Sequence, residues 1–183
     1  DWYLLRDFYF INPNYAIENT DIELARNNLN SKFALGITQN LSYQAESVDK
    51  NLAKNNINSQ FAKGITSNPN YTVEEEDKEL ARSNPESNFA IGLVTNLNYI
   101  IEAEDKDFAK NNLEFLFTRG LTKNSTYIIE ADDRALARAN TETNFALGLA
   151  VNLNLIITEE DRQYARNNPK SLFTLGLVQN LNY

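Results

Sequence analysis

The sequence predicts an all-α protein, an α-solenoid of about six and a half helix-turn-helix repeats wound as a right-handed superhelix. Three observations predict it. A single period of 28 runs through the chain, apolar residues recur at helical spacing within each period, and start and stop residues flank each apolar stripe.

The period is carried by several residue types at once. Phe33, Phe61, Phe89, Phe117, Phe145 and Phe173 recur at every twenty-eighth position, as do Gly36, Gly64, Gly92, Gly120, Gly148 and Gly176. The same step links Asn12, Asn40, Asn68, Asn96, Asn124, Asn152 and Asn180, and also Asp21, Asp49, Asp77, Asp105, Asp133 and Asp161. Ala25 and its equivalents through Ala165 follow it, with Asn28, Asn56, Asn84, Asn112, Asn140 and Asn168 three positions later. No insertion interrupts the spacing, so each module must meet its neighbours in nearly one geometry. The chain reads as a single array over 1–183, with units starting near Leu5, Phe33, Phe61, Phe89, Phe117, Phe145 and Phe173, the last incomplete.

Within the module from Asn84 to Asn112, Asn84-Pro85 reads as an N-cap followed by proline at the first helical position. Phe89, Ala90, Leu93, Val94 and Leu97 then form one stripe, which predicts a helix A over roughly 85–96. Asn96 stands where it ends, as a left-handed C-terminal residue or a cap on the following loop. Glu102-Ala103-Glu104-Asp105 and Lys106-Asp107-Phe108-Ala109-Lys110 put acid in the first turn and base in the last, which predicts a helix B over roughly 102–111 with Phe108 and Ala109 facing the core. Glu74 with Lys78, Glu102 with Lys106, and Glu130 with Arg134 are i,i+4 pairs worth a few tenths of a kcal/mol each. Tyr99-Ile100-Ile101-Glu102 could alternatively be a short strand of a leucine-rich repeat with an asparagine ladder. Gln44-Ala45 and Thr72-Val73 break its apolar pair in two modules, and the helical reading stands.

Helices this short are marginal alone, so packing must hold them. Glycine inside helix A costs roughly 1 kcal/mol against alanine. Its recurrence predicts that helix B of the same module, or helix A of the next, crosses there too closely for a Cβ.

With 42% apolar and 23% charged residues the chain is expected to fold and to be soluble. A net charge of −8 and a pI near 4.6 set its field against nucleic acid and anionic membranes. No apolar run approaches the ~20 residues of a membrane span, and the first residues show no signal peptide. There is no Cys and no His, which removes disulfides, thiolate nucleophiles, imidazole bases and the usual zinc ligands. The compartment is left open.

Phe-Ala-x-Gly-Leu in helix A, Leu-Ala-Arg in helix B and Asn-Pro before the next module resemble the tetratricopeptide and Sel1-like α-solenoids. The period of 28 is shorter than theirs, and the Trp-Leu-Gly-Tyr spacing of a tetratricopeptide helix is missing. The resemblance implies a superhelix and a protein-binding surface.

The acidic clusters Glu74-Glu75-Glu76-Asp77, Glu102-Ala103-Glu104-Asp105 and Asp132-Asp133 read as helix N-terminal charge, against the alternatives of calcium ligands or an acid/base pair. A catalytic pair needs carboxyls in unlike environments, and six equal carboxylates offer none. The basic ladder on helix B, Lys50 to Arg162 and Arg26 to Arg166, reads as a solvated face. The asparagines Asn40, Asn68, Asn96, Asn124 and Asn152 are either caps or clamps for a ligand's backbone. Positions that vary between modules are the candidates for partner choice: Leu35, Lys63, Ile91, Arg119, Leu147 and Leu175, with Gln39, Ser67, Thr95, Lys123, Val151 and Gln179 one turn on.

The ends differ from the middle. Trp2, Tyr3, Phe8, Tyr9, Phe10 and Ile11 suit a terminal cap or a dock, with Phe8 at the glycine position. Leu177, Val178 and Leu181 would ordinarily be covered by a helix B, so the natural chain continues or subunits stack end to end. The expectation is a non-enzymatic scaffold that binds a protein or peptide on its helix-A surface, without cofactor, metal, nucleic acid or membrane insertion. A structural subunit assembling head to tail is the alternative.

Overall fold

The computed structural model describes residues 15–183, and the aromatic cluster from Trp2 to Ile11, with Leu5, Phe8 and Asn12, lies outside them. The described residues form twelve helices and no strand. The chain divides into two compact units, Asp1–Tyr99 and Ile100–Tyr183.

In the first unit the helices are α1 (Asn19–Asn27), α2 (Lys32–Gln39), α3 (Ser47–Asn55), α4 (Gln60–Ser67), α5 (Glu75–Ser83) and α6 (Asn88–Thr95). In the second they are α7 (Ala103–Asn111), α8 (Leu116–Lys123), α9 (Ala131–Ala139), α10 (Asn144–Val151), α11 (Glu159–Asn167) and α12 (Leu172–Gln179). Odd-numbered elements are B helices and even-numbered ones A helices. Within each unit the A helices pack on one another, α2 on α4 on α6 and α8 on α10 on α12, and each B helix lies against the A helix that follows it.

The A helices supply the core because their repeated positions are apolar. Phe61, Phe89, Phe117 and Phe145 are fully buried and Phe33 and Phe173 nearly so. Each such ring removes about 1.5–3 kcal/mol worth of apolar surface from water. Backbone bonds stitch successive modules at these rings: Phe61 N donates to Leu29 O and Phe89 N to Ile57 O at 2.8 Å, and Phe145 N to Leu113 O and Phe173 N to Thr141 O at 2.9 Å.

Helix A starts later than the sequence implies. Asn84 caps the preceding B helix, its Nδ2 donating to Leu80 O at 3.0 Å, and all six asparagines of that series do the same. Pro85 then occupies a turn that Ser87 N closes on Asn84 O, and Ser87 is the N-cap, its Oγ accepting from Ala90 N. An Asn-Pro pair fits either position, and the orphan carbonyls of helix B claim the amide first.

Asn96 is not left-handed; its φ is −67° and ψ 131°. Leu97 lies past the helix end and is 87% exposed, so it drops out of the stripe, whereas Phe89, Ala90, Leu93 and Val94 are buried. The i,i+4 pairs also rearrange. The N-cap glutamates have extended backbone, φ −109° and ψ 176° at Glu102, so helical spacing does not apply to them. Glu74 instead meets Lys50 at 3.2 Å, and Glu130 meets Lys106 at 3.3 Å, each a cation of the preceding module; Arg134 Nη1 donates to Ile156 O.

Of the two partners expected at the glycines, the other A helix is the one found. A Cβ on Gly64 would strike Thr38 Oγ1 and lie 3.0 Å from Leu35 O; one on Gly148 would strike Thr122 Oγ1 and lie 3.0 Å from the Arg119 Cα.

Candidate binding surface

Most of the repeated polar residues are consumed by contacts between modules. Asn96 Nδ2 donates to Thr66 O at 2.9 Å and Asn68 O at 2.8 Å, and its Oδ1 accepts from Asn98 N at 2.9 Å. Asn68 serves Thr38 O and Asn40 O, Asn152 serves Thr122 O and Asn124 O, and Asn180 serves Ala150 O and Asn152 O in the same way. Asn40, Asn68, Asn96 and Asn152 are buried, and Asn124 is half-buried. The amides of Asn68, Asn96 and Asn152 thus cap the exposed carbonyls of the A helix before them, each with both of its polar ends in use. An asparagine ladder exists, but it joins helix ends instead of strands.

The aspartates stand at the third position of the B helices, where their carboxylates accept from the N-cap backbone. Glu46 N, Glu74 N, Glu102 N, Glu130 N and Thr158 N donate to Asp49, Asp77, Asp105, Asp133 and Asp161 at 2.8–3.1 Å. These five are buried. The cation one module earlier supplies the counter-charge: Arg26 to Asp49 at 2.7 Å, Lys54 to Asp77 at 2.9 Å, Lys110 to Asp133 at 3.3 Å and Arg138 to Asp161 at 2.7 Å. The helix-B ladder expected to be a solvated face is therefore an interlocking row of ion pairs. The fixed step from each cation to its carboxylate, the same from Arg26 to Asp49 as from Arg138 to Asp161, is the signal that could have found it.

A tyrosine series was also missed. Tyr43, Tyr71, Tyr99 and Tyr127 recur with the same period as the phenylalanines and are among the largest fully buried side chains. Tyr127 donates to Asp133 Oδ1 at 3.0 Å. Lys50 lies 5.2 Å above the Tyr71 ring, Lys78 5.4 Å above Tyr99 and Lys106 5.3 Å above Tyr127, within cation–π range. Burial first, and then the neighbouring aspartate, pushes the hydroxyls of Tyr43, Tyr71 and Tyr127 well above the ordinary tyrosine value.

Among the described residues Glu130, Asp132 and Asp133 come close enough together to hold a cation. Lys110 Nζ already sits there, 2.8 Å from Asp132 and 3.7 Å from Glu130, and holds the Asp132 carboxyl below its usual range. A hollow of about 330 Å3 beside Leu29, Asn30 and residues 55–59 is open to solvent and offers no convergent charge.

The positions that vary between modules are half-buried or exposed on the A helices. In the first unit Leu35, Lys63 and Ile91 are half-buried at equivalent places on α2, α4 and α6, while Gln39 and Thr95 one turn on are exposed and Ser67 half-buried. Gln39 Nε2 donates to Ser67 Oγ at 3.1 Å. In the second unit Arg119 and Lys123 are exposed on α8, Leu147 and Val151 half-buried on α10, and Leu175 and Gln179 exposed on α12. Compared with models of known protein families, with curated proteins and with solved structures, the chain matches none of them.

Proposed function

We propose that the protein is a non-enzymatic scaffold, a right-handed α-solenoid whose A-helix surface binds a protein or peptide without cofactor or metal. One observation carries this reading. The repeated polar side chains are spent on neighbouring modules, whereas the half-buried and exposed A-helix positions differ between modules and are not held to one residue type by the repeat. Positions whose residue type the repeat does not fix are free to be selected for a partner. Leu35, Lys63, Ile91, Arg119, Leu147, Gln39, Thr95 and Lys123 are its contact residues in this reading. Asn40, Asn68, Asn96, Asn124 and Asn152 support it from beneath.

The test compares partner capture by the unaltered chain, by an Ile91→Glu/Leu147→Glu variant, and by Val48→Glu, which alters an exposed residue of a B helix. Capture lost in the first variant and kept in the second is expected; equal capture by all three would overturn the reading.

A second reading, head-to-tail assembly, rests on α12. Val178 is 60% exposed, although its counterparts Thr38, Thr66, Val94, Thr122 and Ala150 are all buried. In this reading that face packs against a second copy of the chain. Light scattering over a hundredfold range of concentration separates the two, since a scaffold keeps one mass and an assembling subunit grows.

A further inference from the structure

We propose that the outer face of α8, α10 and α12 binds an acidic peptide whose carboxylates meet Arg119 and Lys123 and whose apolar side chains lie over Leu147, Val151 and Leu175; this rests on the scaffold reading.

Charge is sorted between the two helix rows. None of the 25 acidic residues falls within the six A helices, which carry four cations: Lys32, Lys63, Arg119 and Lys123. In a chain of net charge −8 the charged side chains of the A helices are thus all positive.

The cations of helix B are already engaged. In the second unit Lys106, Lys110, Arg138 and Arg166 hold carboxylates, and Arg134 and Arg162 donate to the carbonyls of Ile156 and Tyr183. Arg119 and Lys123 do neither: among the described residues no hydrogen bond or ion pair reaches either side chain. They stand four positions apart on one exposed face of α8, where like charges repel by a few tenths of a kcal/mol. Packing does not require them either, because their counterparts are Leu147 and Val151 on α10 and Leu175 and Gln179 on α12.

The chemistry of a fitting partner follows from this juxtaposition. Arg119 offers a planar fork that matches a carboxylate bidentately, Lys123 adds a second cation one turn away, and the next two helices offer apolar side chains. At physiological salt the Debye length is about 8 Å, so exposed carboxylates farther than this from the pair are largely screened. Two free cations are too few to hold a phosphate backbone or an anionic bilayer against the net charge.

Panning a display library of random dodecapeptides on the full chain tests the proposal. Enriched peptides should combine Asp or Glu with Leu, Ile or Phe. Their affinity should fall about tenfold or more in Arg119→Glu/Lys123→Glu and stay unchanged in Lys54→Glu, a cation of a B helix in the first unit. Circular dichroism checks that each variant keeps its helices. Enriched peptides without acidic residues, or indifferent to the double reversal, overturn the proposal and leave the scaffold reading standing. No enrichment overturns both, and so does binding confined to phosphatidylserine vesicles run as a parallel arm.

Discussion

At Asn152 one side chain closes three hydrogen bonds: it donates to Thr122 O at 2.8 Å and Asn124 O at 3.0 Å and accepts from Asn154 N at 2.9 Å. The residue is 1% exposed, so alanine there takes the side-chain donor from Thr122 O and the acceptor from Asn154 N where water cannot easily substitute, while Asn124 O keeps Tyr127 N. An orphaned buried polar group costs about 1–3 kcal/mol, and Asn152→Ala should therefore cost about 3 kcal/mol in a urea titration. Asn154, two positions on, donates to Ser125 O from an exposed position, and its replacement by alanine should cost under about 1 kcal/mol. Equal losses at the two sites would mean that the buried row contributes no more than the exposed one. The sequence marked Asn152 as a cap or a clamp, but it could not say which helix the residue served. An amide that accepts forward and one that donates backward are the same letter, and only the placement of the orphan carbonyls separates them.

The contact between α8 and α10 belongs to the scale of the element. Their backbones approach until Gly148 has room for hydrogen alone, with Thr122 Oγ1 and the Arg119 backbone on the far side. Thr122 Oγ1 also donates to Phe145 O across the same contact, so the threonine has little freedom to retreat. Gly148→Val should cost several kcal/mol through overpacking and lower the melting temperature by roughly 5 to 10 °C in calorimetry. A melting temperature that stays put would show that the helices can part at little cost. The six-fold recurrence of a poor helix former predicted a close approach, and the threonines that meet it, Thr38, Thr66 and Thr122, repeat along with it. The partner was undecidable from the chain because a recurring glycine marks a close approach without naming which neighbouring helix makes it. Apolar area decided it, since the A helices carry the phenylalanines and bury more against one another.

For the whole molecule the buried tyrosines set an alkaline limit. In the unfolded chain a tyrosine loses its proton near pH 10. Burial beside an aspartate raises that value for Tyr43 and Tyr71 in the first unit and Tyr127 in the second. Below about pH 10 the hydroxyls are protonated in both states, and the folded form keeps its full stability. Above it only the unfolded state ionises, so each further pH unit removes about 1.4 kcal/mol per tyrosine until the folded value is reached. Helical ellipticity should hold to about pH 9.5 and collapse near pH 11, with tyrosinate absorbance rising in the same step. Tyrosines that ionise near pH 10 while helicity persists would contradict their burial.

The chain alone determined that the fold is helical and modular, because period and hydrophobic spacing are properties of sequence order: the evenly spaced phenylalanines are core, and the described residues hold no strand. Tertiary structure alone decided which polar residues are occupied. Arg138 and Arg119 are both cations on short helices, yet the first locks onto Asp161 of the next module and the side chain of the second, among the described residues, holds no carboxylate. Pairing is a matter of distance between modules, which a fixed step along the chain suggests and only the packing of the modules settles.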